Sequence, residues 1–364
     1  MKTAIITFQD AENYGAALQA HALKTVINEY SECEILNYYN LFFHNSISSD
    51  GVKRIILDFL NKKNRMKKKE RFSKFQTEYI TDGKKVLSKD ELREYGKKFD
   101  CFITGSDQVW NLECSGNDTT YFLDFVEDAK KISYAASFGG VNIIDKEKIR
   151  QLLCDFSKIS VREKSGQLYL KDILGKVVPV VLDPTFLLDK NKWKTVFDLK
   201  FSERYVLVYE VLASDELFIK AKKFAKEKGL PLLCITSTNK PRIGAKVVKD
   251  AGPEEWLKYF SQAAYIFTNS FHGLAFALNF DKQFFVELLP PPAKTNTRIK
   301  ELLELVDLTD RKISNCMDIS DINYKKINKI LNLKREESIN YIKVIFNEMN
   351  YPAEVGRKEN SIIV

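Results

Sequence analysis

Residues 4–28 read AIITFQDAENYGAALQAHALKTVIN, and the order of patterns in this stretch decides the fold. Ala4-Ile5-Ile6-Thr7-Phe8 is a continuous apolar run, as expected of a parallel strand covered on both faces. Asn13-Tyr14-Gly15 supplies a turn. Residues 16–28 then show helical periodicity through Leu18, Ala22, Leu23 and Val26. The same alternation continues outward. Strands are predicted at Glu34–Tyr39, Phe99–Thr104, Ile132–Ser137 and Val177–Leu182, and Asp183-Pro184 then punctuates the chain. A second series has strands at Tyr205–Leu212, Pro231–Thr236, Ala264–Thr268 and Gln283–Leu288, with helices at 215–228 and 253–262 between them. The fold class is therefore α/β, with two doubly wound sheets. The expected boundaries are 1–190 for the first domain, 191–322 for the second and 323–364 for a closing helix and tail. Ligands of such sheets bind beyond the carboxyl ends of the strands, so the active cleft is expected between the domains.

Composition narrows the function classes. The 364 residues carry a net charge of +8, but residues 62–75, KKNRMKKKERFSKF, hold +7 of it in one tract. A nucleic-acid binder should instead spread its basic residues along a face or groove, so no nucleic acid is expected as a partner. The tract follows Val52–Leu60, an amphipathic helix candidate bearing Ile56, Phe59 and Leu60, and the expectation is a basic helical excursion at 52–78. It is either a solvated charged helix or a peripheral contact with an anionic membrane through 52–75. No secretory signal and no apolar run near the ~20 residues of a membrane span is visible, which points to the cytoplasm, at the inner face of the membrane if the tract docks there. Cys33, Cys101, Cys114, Cys154, Cys234 and Cys316 are widely spaced without a CxxC pair, and read as reduced, mostly core thiols. With no metal-ligand cluster visible, turnover is expected to survive EDTA.

Four segments place polar residues where strands should end. Asn13, Tyr14 and Gly15 with Ala16-Ala17 either offer N–H groups to an anion or simply turn the chain into a helix. The absence of GxGxxG and GxxxxGK[ST] removes the dinucleotide and P-loop readings. Gly105–Asn111 gathers Asp107, Gln108 and Trp110, a set suited to hydrogen bonding and stacking against a sugar, or alternatively a helix cap with a core tryptophan. Ser160-Val161-Arg162-Glu163 offers an arginine fork for a carboxylate or phosphate, or a surface pair with Glu163. Thr268-Asn269-Ser270-Phe271-His272-Gly273 is the most specific. Of three histidines, His272 alone lies at a strand-to-helix turn, where imidazole can exchange a proton near neutral pH. Structural roles are expected for His21 and His44.

At these residues the sequence resembles the polysaccharide pyruvyl transferase family. The strings are Asn13-Tyr14-Gly15-Ala16 with Leu18-Gln19, Gly105–Asn111, Tyr134-Ala135-Ala136-Ser137-Phe138-Gly139, Ser160–Glu163, Asp183-Pro184-Thr185-Phe186-Leu187 and Asn269–Gly273, continuing through Arg298 and Leu302-Leu303. The resemblance covers residues 3–310. It implies two Rossmann-like doubly wound domains in a glycosyltransferase-B-like arrangement, with phosphoenolpyruvate as co-substrate and no further cofactor. The implied product is a pyruvate ketal bridging two hydroxyls of a saccharide acceptor, lipid-linked or polymeric, in bacterial cell-surface polysaccharide (exopolysaccharide) biosynthesis. It associates Arg162 and His272 with the donor and catalysis, His272 as the acid or as a partner of the departing phosphate. Asn269, Ser270 and Gly273 are expected to bind the donor too. Lys294 and Arg298 complete the anion site or are solvated charges. Arg162→Ala and His272→Ala are expected to abolish transfer and leave the fold intact. The competing readings are a glycosyltransferase with a sugar-nucleotide donor and a non-catalytic polysaccharide-assembly protein.

Overall fold

The computed structural model describes residues 1–40, 42, 52–81, 83–140, 145–290, 296–313 and 320–350, with the backbone alone at 52–61 and 350. Among the described residues, nine strands form two all-parallel sheets. The first contains β1 (Lys2–Ile6), β2 (Glu32–Ile35), β3 (Cys101–Thr104) and β4 (Lys130–Ser133), in the order β2-β1-β3-β4. The second contains β5 (Tyr205–Glu210), β6 (Leu232–Thr236), β7 (Lys246–Val248), β8 (Ala263–Thr268) and β9 (Gln283–Val286), in the order β7-β6-β5-β8-β9. The helices are α1 (Tyr14–Ile27), α2 (Val52–Phe75), α3 (Lys89–Gly96), α4 (Lys146–Leu153), α5 (Lys164–Leu174), α6 (Lys190–Phe197), α7 (Asp215–Glu227), α8 (Pro253–Gln262), α9 (Phe271–Asn279), α10 (Asn296–Leu305) and α11 (Tyr324–Asn350).

Burial on both faces explains the apolar runs. Along β1, Ile5 faces one core while Ala4 and Ile6 face another, and along β3 Ile103 and Phe102 divide the same way. In the second sheet Leu207 and Tyr209 of β5 point to the core that also holds Ile5, whereas Val206 and Val208 point to a third. One apolar core is thus shared by both sheets, and each sheet has an outer core of its own. Trp193 and Trp256, both fully buried, belong to the shared core.

Three departures from the sequence reading have physical causes. Val177–Leu182 is extended but joins its neighbour only through an isolated bridge, Val180 to Val161. The apolar stretch 151–159, helix-like in its sequence, leaves the helix early, since α4 stops at Leu153 and the chain then runs beside β4 through the bridges Ile132–Lys158 and Ala136–Val161. β7 is an edge strand of three residues, too short to leave a period. The predicted closing helix at 323 onward is α11.

The basic tract is not a free excursion. It forms the end of α2, where Phe72 and Phe75 enter the shared core. Arg71 Nη1 donates to the Asp250 carbonyl at 2.7 Å and its Nε lies 3.3 Å from Glu255, while Lys68 reaches Ser237 at 3.3 Å. The last turns of α2 therefore bridge the two halves, while Lys62, Lys63, Lys67 and Lys69 stay exposed. No helix among the described residues is long and apolar enough to cross a membrane.

Candidate active site

Each sheet order reverses direction once. In the first sheet the reversal lies between β1 and β3, in the second between β5 and β8. Crevices open at such points, and the four segments singled out in the sequence gather there. Around the first, the Thr7 hydroxyl donates to the Ser106 carbonyl at 3.0 Å, and Gln19 donates to Thr7 Oγ1 at 2.8 Å while accepting from Ser106 N–H at 3.2 Å. Gly105 has φ +119°, and a Cβ there would stand 2.1 Å from the Tyr134 carbonyl oxygen, so only glycine lets this turn pack on the chain after β4. Around the second, Ser270 caps α9 by accepting from Gly273 N–H at 3.2 Å.

The two reversals meet at one contact. A Cβ on Gly15, in the first turn of α1, would lie 1.9 Å from His272 Nδ1 and 2.2 Å from Cγ. The imidazole is seated directly on the Gly15 backbone. Its other nitrogen, Nε2, stands 3.6 Å from Asp183 Oδ2, just beyond hydrogen-bond distance.

Asp183 links His272 to Arg162. The same Oδ2 accepts from Arg162 Nη1 at 2.7 Å, and Oδ1 accepts from the Thr185 N–H and hydroxyl at 3.0 and 2.7 Å. Burial opposes a charge on Asp183, but His272, Arg162 and the Thr185 N–H together hold its carboxyl well below the usual carboxylate range. Arg162 also stands 3.5 Å from Asp107 and 3.7 Å from Glu163. Burial disfavours its charge, yet Asp183, Asp107 and Glu163 outweigh burial and raise it above its ordinary value. Arg162 is thus buried and clasped by three carboxylates, not a surface partner of Glu163.

Arg162 and Arg298 share the ring of Phe271, with guanidinium carbons 4.8 and 5.5 Å from its centroid. Burial and then the charge of Arg162 push Arg298 down to about 10, and its Nε is buried without a hydrogen-bond partner. Both arginines line a cavity of about 530 Å³, together with Glu163, Asp183, Phe271 and Glu301. Glu301, one turn beyond Arg298 on α10, accepts from the Lys164 and Ser165 N–H groups at 2.6 and 3.1 Å, capping α5 from the other half of the protein. Two directional cations, Arg162 and Arg298, thus meet at this cavity beside the carboxylates of Glu163, Asp183 and Glu301.

The remaining candidates divide. Trp110 is fully buried among Phe122, Phe138 and Phe156, with its indole N–H donating to the Tyr121 carbonyl at 3.3 Å; its face is covered, which corrects the expectation that it stacks on a sugar. Tyr14 is likewise enclosed, stacked on Trp256 at 5.6 Å with its hydroxyl donating to the Ala251 carbonyl, and pins the two halves together instead of lining a cleft. Asn13 caps α1 by accepting from Ala16 N–H at 3.2 Å. Gln108 accepts from Asn111 at 3.1 Å in the loop after Asp107, which has left-handed φ +72°. Asn269 accepts from Val211 N–H and donates to the Leu212 carbonyl, so it ties the loop after β8 to that after β5. A Cβ on Gly273 would lie 2.3 Å from Thr268 Oγ1, which places that glycine in helix–strand packing. Lys294 and His44 lie outside the described residues. Glu163, Asp183, Phe271 and Glu301 join the site without having been singled out as site residues. Glu163 and Phe271 lay inside segments read as functional, Asp183 stood only in a string of the family resemblance, and Glu301 comes from a helix far along the chain.

The fold has relatives of known structure. UDP-GlcNAc 2-epimerase from Methanocaldococcus jannaschii is 11% identical, with 95% of this chain and all of that one covered at a TM-score of 0.50. An alpha-glucosyltransferase in complex with UDP and DNA (8% identity, 97% and 98% covered, 0.48) and an E. coli heptosyltransferase with ADP (11%, 92% and 100%, 0.42) are also similar. At these identities the likeness concerns the fold alone, two Rossmann-like domains in a glycosyltransferase-B-like arrangement. No curated protein matches the chain. The family model for polysaccharide pyruvyl transferase matches residues 13–286. That span includes Gly15, Arg162, Asp183 and His272, the residues that meet between the two sheets, and the chain belongs to the polysaccharide pyruvyl transferase family.

Proposed function

We propose that the protein transfers pyruvate from phosphoenolpyruvate, as a ketal, onto two hydroxyls of a saccharide. The observation that carries this reading is the Arg162–Phe271–Arg298 arrangement on the 530 Å³ cavity, in which burial and then the charge of Arg162 lower Arg298. An anion bearing both a carboxylate and a phosphate removes that repulsion and matches two guanidinium forks. Arg162 and Arg298 hold the two anionic groups. His272, with Nε2 3.6 Å from Asp183 Oδ2, positions the carboxylate that orients Arg162 toward the donor. Asp107 and Gln108, on the loop after β3, face the acceptor in this reading.

The direct test incubates the protein with phosphoenolpyruvate and a panel of saccharides, following phosphate release and the mass increment of a pyruvate ketal. Phosphate release that depends on a saccharide supports the proposal. Protection against thermal unfolding by sugar nucleotides, with none from phosphoenolpyruvate, would instead favour glycosyl transfer. We also propose that Lys62, Lys63, Lys67 and Lys69 on α2 bring the protein to an anionic membrane surface, each adding ~1 kcal/mol near the surface. Because Phe72 and Phe75 are core residues, the test is charge reversal of those four lysines, not deletion of the tract. Undiminished co-sedimentation of that variant with anionic vesicles would refute docking.

A further inference from the structure

Ketal formation requires a proton on the methylene carbon of the donor. His272 is poorly disposed to deliver it, since Nδ1 rests on Gly15, Nε2 faces Asp183, and the ring is not among the residues lining the cavity. A different acid is in place. Glu163 follows Arg162 directly, lines the cavity beside both arginines, and is only 4% exposed. Its Oε2 is buried without a hydrogen-bond partner, 3.7 Å from Arg162 Nε, which has none either. Buried carboxylate oxygens are ordinarily satisfied, so this one stands ready to hold a proton or meet a ligand.

We propose that Glu163 is the general acid of the reaction, its carboxyl protonating C3 of the enolpyruvyl donor held by Arg162 and Arg298. This rests on the phosphoenolpyruvate reading above. The groups facing Glu163 are Arg162 on its own segment, Arg298 and Glu301 on α10, and Ser137 after β4. Burial raises its carboxyl above the ordinary value, and the two guanidiniums and Ser137 pull the other way. A donor whose carboxylate and phosphate engage those guanidiniums cancels part of that pull, so the acid is loaded by the arrival of its own substrate.

The step balances. Glu163 gives one proton to C3, a methylene that becomes the methyl group, and the first saccharide oxygen bonds to C2. The C2–O bond to phosphate then breaks with its electron pair, and the second hydroxyl oxygen closes the ring at C2. Of the two hydroxyl protons released, one restores Glu163 and the other departs on hydrogen phosphate.

The test is Glu163→Gln, nearly isosteric but without an acidic proton. Phosphoenolpyruvate should still protect this variant against thermal unfolding, while phosphate release falls by about 10²–10⁴-fold. Glu163→Asp should recover part of the rate. A general acid predicts a decline of kcat with rising pH in the wild type, and that decline should be absent from the residual activity of Glu163→Gln. Transfer by Glu163→Gln within threefold of wild type overturns the assignment, and so does loss of protection together with rate, which would make Glu163 a binding residue. Wild-type protein that neither binds nor consumes phosphoenolpyruvate overturns the donor reading itself, and this assignment with it.

Discussion

Substituting Gly15→Ala tests the contact on which the two sheets meet. In the first turn of a helix, alanine gains up to about 1 kcal/mol over glycine when nothing opposes it. Here the added methyl would be 1.9 Å from His272 Nδ1 and 2.5 Å from Cε1. The imidazole is 8% exposed and held between Gly15 and Asp183, so it cannot swing aside cheaply. Overpacking of this kind costs about 1–3 kcal/mol. The clash wins, and a net loss of about 1–2 kcal/mol is expected, which for 364 residues lowers Tm by roughly 1–3 °C. In a His272→Ala background the obstacle is gone, and the same substitution should become neutral or stabilising. Urea denaturation of the four proteins in this cycle measures the coupling, expected at about 1–3 kcal/mol. Equal Gly15→Ala effects in both backgrounds, within about 0.5 kcal/mol, would refute the argued seat of the imidazole.

Arg162→Ala should destabilise by about 3–5 kcal/mol, because it strands Asp183 with Asp107 and Glu163 in the interior; denaturant midpoints unchanged from wild type would contradict this, and would restore the expectation that the fold is indifferent to the loss. Trp110→Ala should lose about 3–5 kcal/mol as a core truncation, whereas Trp110→Phe should leave the acceptor KM unaltered. A KM change in Trp110→Phe without loss of stability would return the indole to the acceptor site. His21, enclosed by Phe75, Tyr79, Trp193 and Phe197, is pushed down to about 4, chiefly by burial. Its neutral ring therefore supports the fold above pH ~6.5, and that support should fade as pH falls toward 4, by up to about 3 kcal/mol. A His21→Phe variant should lack this part of the acid sensitivity, and an unchanged stability–pH curve would remove His21 from the effect.

The fold was legible because its strands are buried on both faces, which leaves continuous apolar runs such as Ala4–Phe8. Val177–Leu182 carries the same composition but makes one isolated bridge, and composition cannot report pairing. The positions of the site segments followed from strand-end reasoning, and all four gather at the two reversals. Their partners did not follow. Arg162 sits one residue from Glu163 in the chain, which suggested a local surface pair, but its shortest contact is Asp183, twenty-one residues on. Asp183 in turn reads as a turn residue before proline, and nothing local announces that it is aimed at His272. For Trp110 both readings were open, and only the rings of Phe122, Phe138 and Phe156 around it decide for the core.

The path of α11 sets the order of events during synthesis. This helix leaves the second sheet and lies against the first half, where Ser338 Oγ accepts from Leu182 N–H at 3.0 Å, Phe346 stacks on Tyr30 at 5.7 Å and Glu348 pairs with Lys158 at 2.8 Å. Leu331, Ile342, Ile345 and Phe346 complete the shared core. The half made first by the ribosome therefore lacks a wall until α11 has emerged. Native packing of that half waits for α11, and nascent chains stalled before α11 present an open apolar groove to chaperones and proteases.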